Sequence, residues 1–473
     1  MQETTMIFGA PGCGKTTYLL NLLSDILDDY DSDKIAFVSF TKKGSYEGRD
    51  RATEKFGYKD SDLPYFRTIH SLAFRDLGMS RYEMISKKNY KEFSRAMGMN
   101  FVGYYTEDFI NNDDKYLFYV SLKKNNPRTA EILLEDLDVK KVNFVSNNYE
   151  RFKTEMGVKD FDDLIVEFIK KDKPLPVQVA IIDEAQDLTS LQWKFCEVAF
   201  RNCNKVYIAG DDDQAIYEWS GSDIKHFLNL SKHSENIVLD KSYRLRQKIL
   251  NFSKLFSKQI SNRVDKIFDP VQEGGEIYFY NKVDEIPINN EESYYFLARN
   301  NYHLSIYGKR LRELGMTFQY KHRYSVDMKK YNAVRIYEKH RKYDPEQIYT
   351  DLSLKPYLRD IINIKDPWFY SLNFDINEKT YFKDLFKNKV DVTKTNCEVN
   401  TIHGVKGGEA DNVVLLLDVT KTIDNNLERN VEALDSELRC LYVALTRAKK
   451  NLHIVHSNSQ FGYESIFRRS MNE

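Results

Sequence analysis

Gly9-Ala10-Pro11-Gly12-Cys13-Gly14-Lys15-Thr16 follows a short apolar run, Thr5–Phe8, and opens a stretch of helical periodicity, Lys15–Leu27. It fits G-x-x-x-x-G-K-[ST] in the strand, loop and helix setting that the pattern requires. Glycines let backbone N–H groups converge on phosphate oxygens, and the helix N-terminus adds a favourable dipole. Lys15 is placed to reach β- and γ-phosphates, and the Thr16 hydroxyl to ligand Mg²⁺. By itself this stretch implies a nucleoside triphosphate site, which kinases and GTPases share.

Outward from the loop, short apolar runs alternate with longer helical stretches. Thr5–Phe8, Lys34–Phe40, Val177–Asp183, Lys205–Ala209 and Ile237–Leu239 read as buried strands, with helices at Lys15–Leu27 and Leu191–Ala199. A second set comprises Glu276–Tyr280, Tyr294–Ala298, Val399–Ile402, Val413–Leu417 and Leu452–Val455. The expectation is an α/β fold of two parallel-sheet domains, each carrying a mostly helical insertion. Residues 1–80 and 156–240 make the first domain, with insertion 81–155. Residues 241–324 and 396–473 make the second, with insertion 325–395.

Over 473 residues, 70 Lys and Arg nearly balance 71 Asp and Glu, so total charge gives no footprint for nucleic acid. Any strand path must be a local basic channel. Lys241–Lys248 and Lys321–Lys330 are basic stretches that suit one, or a solvated face. The cysteines Cys13, Cys196, Cys203, Cys397 and Cys440 form no C-x-x-C pair and read as reduced thiols of a cytoplasmic protein. The N-terminus has no signal-peptide pattern, and the longest apolar runs are too short to span a bilayer.

Val179-Ala180-Ile181-Ile182 runs into Asp183-Glu184-Ala185-Gln186-Asp187. A strand ending in acids places them at the carboxyl edge of the sheet, beside the phosphate loop. Asp183 can then hold the Mg²⁺ shell, and Glu184 can accept a proton from attacking water. Alone, the acids would equally suit a helix N-cap; the loop favours the metal reading.

The sequence DEAQD resembles the Walker B motif of UvrD/Rep/PcrA-type helicases of superfamily 1, and other stretches follow that family's order. Phe40-Thr41-Lys42-Lys43 resembles motif Ia, Thr68-Ile69-His70-Ser71 motif Ib, and Asp160-Phe161-Asp162-Asp163-Leu164 the segment preceding Walker B. Gly210 to Trp219 resembles motif III, Ser242-Tyr243-Arg244 motif IV, Thr401 to Glu409 motif V, and Tyr442 to Ala448 motif VI. The resemblance runs from Gly9 to about Ala448, leaving the two insertions unmatched, and implies that both parallel-sheet domains are RecA-like.

The resemblance implies that Lys15, Asp183, Glu184, Gln214, Arg244 and Arg447 act in catalysis, with both arginines contributed by the second domain. Gly9 through Thr17 would hold the nucleotide, including Ala10, Pro11, Gly12, Cys13 and Gly14. Tyr243 would stack near the adenine, and Glu409 would bond the ribose. Lys406 would be proximal to nucleotide or DNA. Phe40, Thr41, His70, Tyr217, Trp219, Thr401 and His403 would line the DNA path, where stacking on any base suits a motor. Trp219, beside Ser220-Gly221 at a sheet edge, is expected to be exposed.

Three departures from the family pattern carry expectations of their own. Only eight residues precede Gly9, leaving no room for the N-terminal Q-motif helix, so weaker nucleotide discrimination is expected. The second insertion is short, a reduced 2B element implying less self-inhibition. Trp219-Ser220-Gly221 and Ser436-Glu437-Leu438-Arg439 lack charges common at those places.

The expected function is an ATP- and Mg²⁺-dependent translocase and helicase acting on single-stranded DNA and its junctions with duplex. Movement is expected 3′ to 5′, by a monomer, through closure of the two domains. A translocase that displaces proteins without unwinding would share every ATPase motif. A P-loop NTPase unrelated to nucleic acid would need neither the Tyr217/Trp219 loop nor the paired arginines.

Overall fold

A computed structural model describes residues 3–39, 42–103, 113–428 and 430–472. Phe40 and Thr41, expected in the DNA path, lie outside the described residues. Contacts divide the chain into two compact units. The first comprises residues 1–274 and 426–446, the second 275–425 and 447–473.

The first unit is built on six parallel strands: β1 (Glu3–Gly9), β2 (Ile35–Ser39), β3 (Phe66–Thr68), β4 (Val179–Asp183), β5 (Lys205–Gly210) and β6 (Glu235–Leu239), in the order β3-β2-β4-β5-β1-β6. Strands β2 and β4 are buried throughout, as continuous apolar runs in a sheet covered on both faces must be. Alternate residues supply two cores. Met6, Phe8, Ala36, Val38, Ala180, Ile182 and Ile208 join one cluster with Phe168, Phe195 and Phe227. Ile7, Ile35, Phe37, Val179 and Ile181 join the other with Leu19, Leu23 and Phe66. This period of two is the pleat itself, since successive side chains leave a strand on opposite faces.

The first insertion is helical, with helices Lys87–Met97, Asp114–Asn125, Pro127–Leu134 and Val139–Met156 around Phe93, Leu117, Val145 and Tyr149. Its base is tied to helix Phe161–Lys171 by charge. Lys153, 3% exposed, meets Asp160 at 2.7 Å and Asp163 at 2.6 Å, and Lys124 meets Asp163 at 2.7 Å. Glu150, Asp160 and Asp163 converge closely enough for a metal ion, but the two ammonium groups already neutralise them.

Strand β7 (Lys241–Arg246) pairs with β8 (Asp269–Gln272), and both pack with the first unit. The sequence reading assigns this stretch to the second domain. Its anchors are local: the Ser242 hydroxyl donates to Pro11 O at 2.8 Å, and Tyr243 N–H to Gly12 O at 2.9 Å.

The second unit holds β9 (Glu276–Tyr280), β10 (Tyr294–Ala298), β11 (Gln319–Tyr320), β12 (Arg323–Tyr324), β13 (Cys397–Thr401), β14 (Ala410–Leu416) and β15 (Ala448–Val455). Their order is β12-β11-β13-β10-β14-β15-β9, parallel except for the β11–β12 hairpin. The second insertion has helices Met328–Tyr343 and Ile376–Lys387 and a core of Tyr331, Tyr337, Trp368, Phe382 and Leu385. All five cysteines are buried, and none is in a disulfide among the described residues. Among the described residues, no helix is long and apolar enough to cross a membrane.

Candidate nucleotide site and strand-contact residues

Strand β1 delivers the phosphate loop at its carboxyl end, and helix Lys15–Asp29 leaves from it. Gly12 and Gly14 have φ of 73° and 78°, a conformation costly for any residue with a Cβ. Gly14 is the N-cap and offers no side chain to the first turn, so the helix N-terminal N–H groups suit an anionic oxygen. These features fit a nucleotide phosphate. Lys15 is half-buried and donates to Gly9 O at 2.8 Å. Burial pushes its ammonium down, but the charges of Glu184, Asp211 and Asp183 outweigh that and hold it above its ordinary value. Burial pushes the Cys13 thiol up, so it stays protonated and unreactive at neutral pH.

Gly12 also lies against β7. A Cβ built on it would sit 2.2 Å from Arg244 Cβ and 3.0 Å from Arg244 N. Tyr243, held to the loop by its own N–H, is 57% exposed. The expected adenine neighbour and one expected arginine therefore share the first unit with the loop.

Strand β5 separates β1 from β4, so three carboxyl ends stand side by side. Asp183 ends β4 at 3% exposure and accepts from Glu184 N–H at 2.9 Å. Glu184 has φ 53° and ψ 39°, left-handed for a residue with a full side chain. Backbone strain of this kind costs about 1–3 kcal/mol and collects at working sites. Gln186 links the strand ends. Its side-chain amide donates to the Glu184 carboxylate at 2.6 Å, and its carbonyl accepts from Asp211 N–H at 3.1 Å. Asp211 in turn accepts from the Gln214 amide at 2.6 Å. A hydrogen-bonded path thus runs from Glu184 to Gln214.

Asp211, Asp212 and Asp213 are all fully buried. Lys266 answers them, at 3.0 Å from Asp211 and 3.1 Å from Asp213, and in contact with Asp212. Arg263 binds Asp213 through two parallel bonds of 2.8 and 2.7 Å. Val264 N–H donates to Asp212 at 2.8 Å. Arg439, on helix Val431–Leu445, donates to Asp212 O at 3.0 Å and to Asn262 O at 2.8 Å. Burial alone would discharge Lys266, yet the three carboxylates hold its ammonium well above the usual lysine range. Asp212 is pushed up by burial, reinforced by its two acidic neighbours. Sequence reading missed Gln186, Arg263, Lys266 and Arg439. The available signal was the aspartate triplet, which cannot be buried without cations elsewhere in the chain.

The remaining expected residues fall as follows. His70, on helix Ile69–Asp76, meets the Phe161 ring edge-on at 5.7 Å. Tyr217 and Trp219 are half-buried. Trp219 is not the exposed platform expected: its ring packs 5.8 Å from Phe118 in the core of the helical insertion. In the second unit, Thr401 ends β13, and its hydroxyl accepts from Gly404 N–H at 3.2 Å, with His403 between them in sequence. Lys406 is half-buried beside this turn. Glu409 is exposed, 3.8 Å from Lys449. Arg447 is 1% exposed and donates to Gly408 O at 3.2 Å.

The family model described as UvrD/REP helicase N-terminal domain matches residues 1–235, and that described as UvrD-like helicase C-terminal domain matches 297–459. The ATP-dependent DNA helicase PcrA of Staphylococcus aureus is 24% identical over 307 residues, 59% of this chain and 41% of the relative. The ATP-dependent DNA helicase Rep of Buchnera aphidicola is 24% identical over 294 residues, 58% of this chain and 46% of the relative. The matches thus span under half the length of these curated relatives. A solved structure, that of the PRRSV helicase, shares 11% identity at a TM-score of 0.36, covering 97% of this chain and 53% of that one, a likeness too low to bear on the fold. With the two family models together spanning most of its length, and the phosphate loop, acidic strand end and Gln214 side by side on one sheet edge, the chain belongs to the UvrD/REP helicase family.

Proposed function

We propose that this chain is an ATP-dependent translocase and helicase on single-stranded DNA, moving 3′ to 5′. One observation carries the reading: the hydrogen-bonded path from Glu184 through Gln186 and Asp211 to Gln214, beside Lys15, on a single sheet edge. Lys15 holds the β- and γ-phosphates. Thr16 and Asp183 would hold Mg²⁺, which would supply charge neutralisation at the phosphate oxygens. Glu184 takes the proton of the attacking water, and its strained backbone fixes the carboxylate for that task. Loss of the γ-phosphate alters the Gln214 contact, and the path through Asp211 carries that change to the loop bearing Tyr217 and Trp219. Arg244 and Arg447 supply the cations for developing phosphoryl charge. The two units then alternate their grip on the strand.

The test is ATP turnover with and without single-stranded DNA, beside unwinding of 3′-tailed and 5′-tailed duplexes. We expect DNA-stimulated turnover and unwinding of the 3′-tailed substrate. Turnover indifferent to DNA would refute the motor, and unwinding only from a 5′ tail would refute the polarity.

A further inference from the structure

Strands β11 and β12 form a hairpin whose pairs are Gln319↔Tyr324 and Tyr320↔Arg323, leaving Lys321 and His322 as a two-residue turn. Their φ angles are 48° and 64°. Such a turn needs positive φ at both positions, which Asn-Gly or Gly-Gly meets with little or no strain. Here both positions instead carry long or aromatic side chains in a conformation that disfavours them. Lys321, His322, Arg323 and Tyr324 are all exposed, so burial does not explain the choice.

The turn's position suggests what does. Strand β11 pairs in parallel with β13, and Lys321 N–H donates to Val399 O at 3.0 Å. The turn therefore stands one strand away from the carboxyl end of β13, where Thr401 and His403 emerge. A polar chain joins the two places. His322 lies 2.9 Å from Glu398, Asn400 donates to Glu398 at 3.0 Å, and Thr401 N–H donates to Asn400 at 2.9 Å.

We propose that Lys321, His322 and Arg323 grip the phosphates of a single strand crossing the carboxyl end of β13. Strain is accepted in the turn because it aims the Lys321 and His322 side chains along the edge that carries Thr401 and His403. The proposal rests on the nucleic-acid reading above.

The test uses the full chain and a labelled oligo-dT, titrated over a range of salt. The variant Lys321→Asn/His322→Gly keeps residues suited to the turn. Each lost phosphate contact should lower the slope of log K against log salt by about 0.7, or about 5- to 10-fold in affinity at ~50 mM salt. Its melting temperature should rise as strain is removed. Lys339→Asn, an exposed lysine on helix Met328–Tyr343, controls for general charge and should leave the slope unchanged, and Lys321→Arg should keep the wild-type slope. Unchanged binding in the turn variant, with or without a higher melting temperature, overturns the proposal. So does an equal loss in the Lys339 control. Failure of the wild type to bind oligo-dT would instead overturn the function on which the proposal rests.

Discussion

Replacing Lys266 by methionine removes the one ammonium that touches all three buried aspartates and leaves Arg263 on the Asp213 carboxylate and Arg439 on the Asp212 backbone. Lys266 is itself 6% exposed, so water cannot take its place without opening the site. Breaking a buried ion pair by removing one partner costs about 3–5 kcal/mol. Spread over a unit of roughly 300 residues at about 2.1 cal/mol/K per residue, this lowers the melting temperature by about 5–8 °C. The pH dependence identifies the cause. Burial and its acidic neighbours already push Asp212 up against the pull of Lys266, and removing the ammonium pushes it further, so the folded variant binds more protons than the unfolded chain. Stability of the variant relative to wild type must therefore recover as pH falls from about 7.5 to about 5.5. Adding Asp212→Asn should restore part of the loss at neutral pH, because it removes the carboxylate that burial already pushes up. Differential scanning fluorimetry at both pH values, on the two single variants and the double, measures all of this. A loss below about 2 °C, or one that grows as pH falls, would refute the view that this cluster is held together by charge.

Other outcomes follow from the same geometry. Lys15→Ala should abolish ATP turnover while sparing binding to single-stranded DNA, checked by a phosphate-release assay beside fluorescence anisotropy. Gly12→Ala puts a methyl 2.2 Å from Arg244 Cβ at a φ of 73°, and should cost about 1–3 kcal/mol and weaken nucleotide binding, read by denaturant titration and calorimetry. Gln186→Leu cuts the path between Glu184 and Asp211 while keeping volume, and should lower kcat about 10- to 100-fold with little change in nucleotide affinity. Lys153→Met leaves Asp160 and Asp163 with Lys124 alone and should loosen the helical insertion by about 3–5 kcal/mol, seen as faster hydrogen exchange in helix Val139–Met156.

What the sequence disclosed, and what it hid, divide along a physical line. The apolar runs Met6–Phe8, Ile35–Val38, Val179–Ile182 and Val206–Ala209 were legible because the middle of a parallel strand covered on both faces is apolar on both sides. The phosphate loop was legible because phosphate contact demands glycines and a lysine at fixed spacing. Strand β3 and the β11–β12 hairpin are three and two residues long, too short for any periodicity to register. Trp219 was misjudged because a polar loop says nothing about a partner far away in sequence, and Phe118 lies on a separate helical insertion.

The cations are the more instructive omission. Asp211, Asp212 and Asp213 announce a charge that must be met, yet Arg263, Lys266 and Arg439 lie some 50 to over 200 positions along the chain. No local pattern marks them, because what selects them is burial. A lysine at 6% exposure and an arginine at 2% are tolerable only where carboxylates or carbonyls already wait. The demand is thus readable at one end and the supply only in three dimensions. The same logic explains why helix Val431–Leu445 and segment 261–266 pack with the first unit although they lie far along the chain. Arg439 and Asp435 of that helix bind the backbone of Asp212, Ser261 and Asn262, so the aspartate triplet and its counter-charges fold as one electrostatic body.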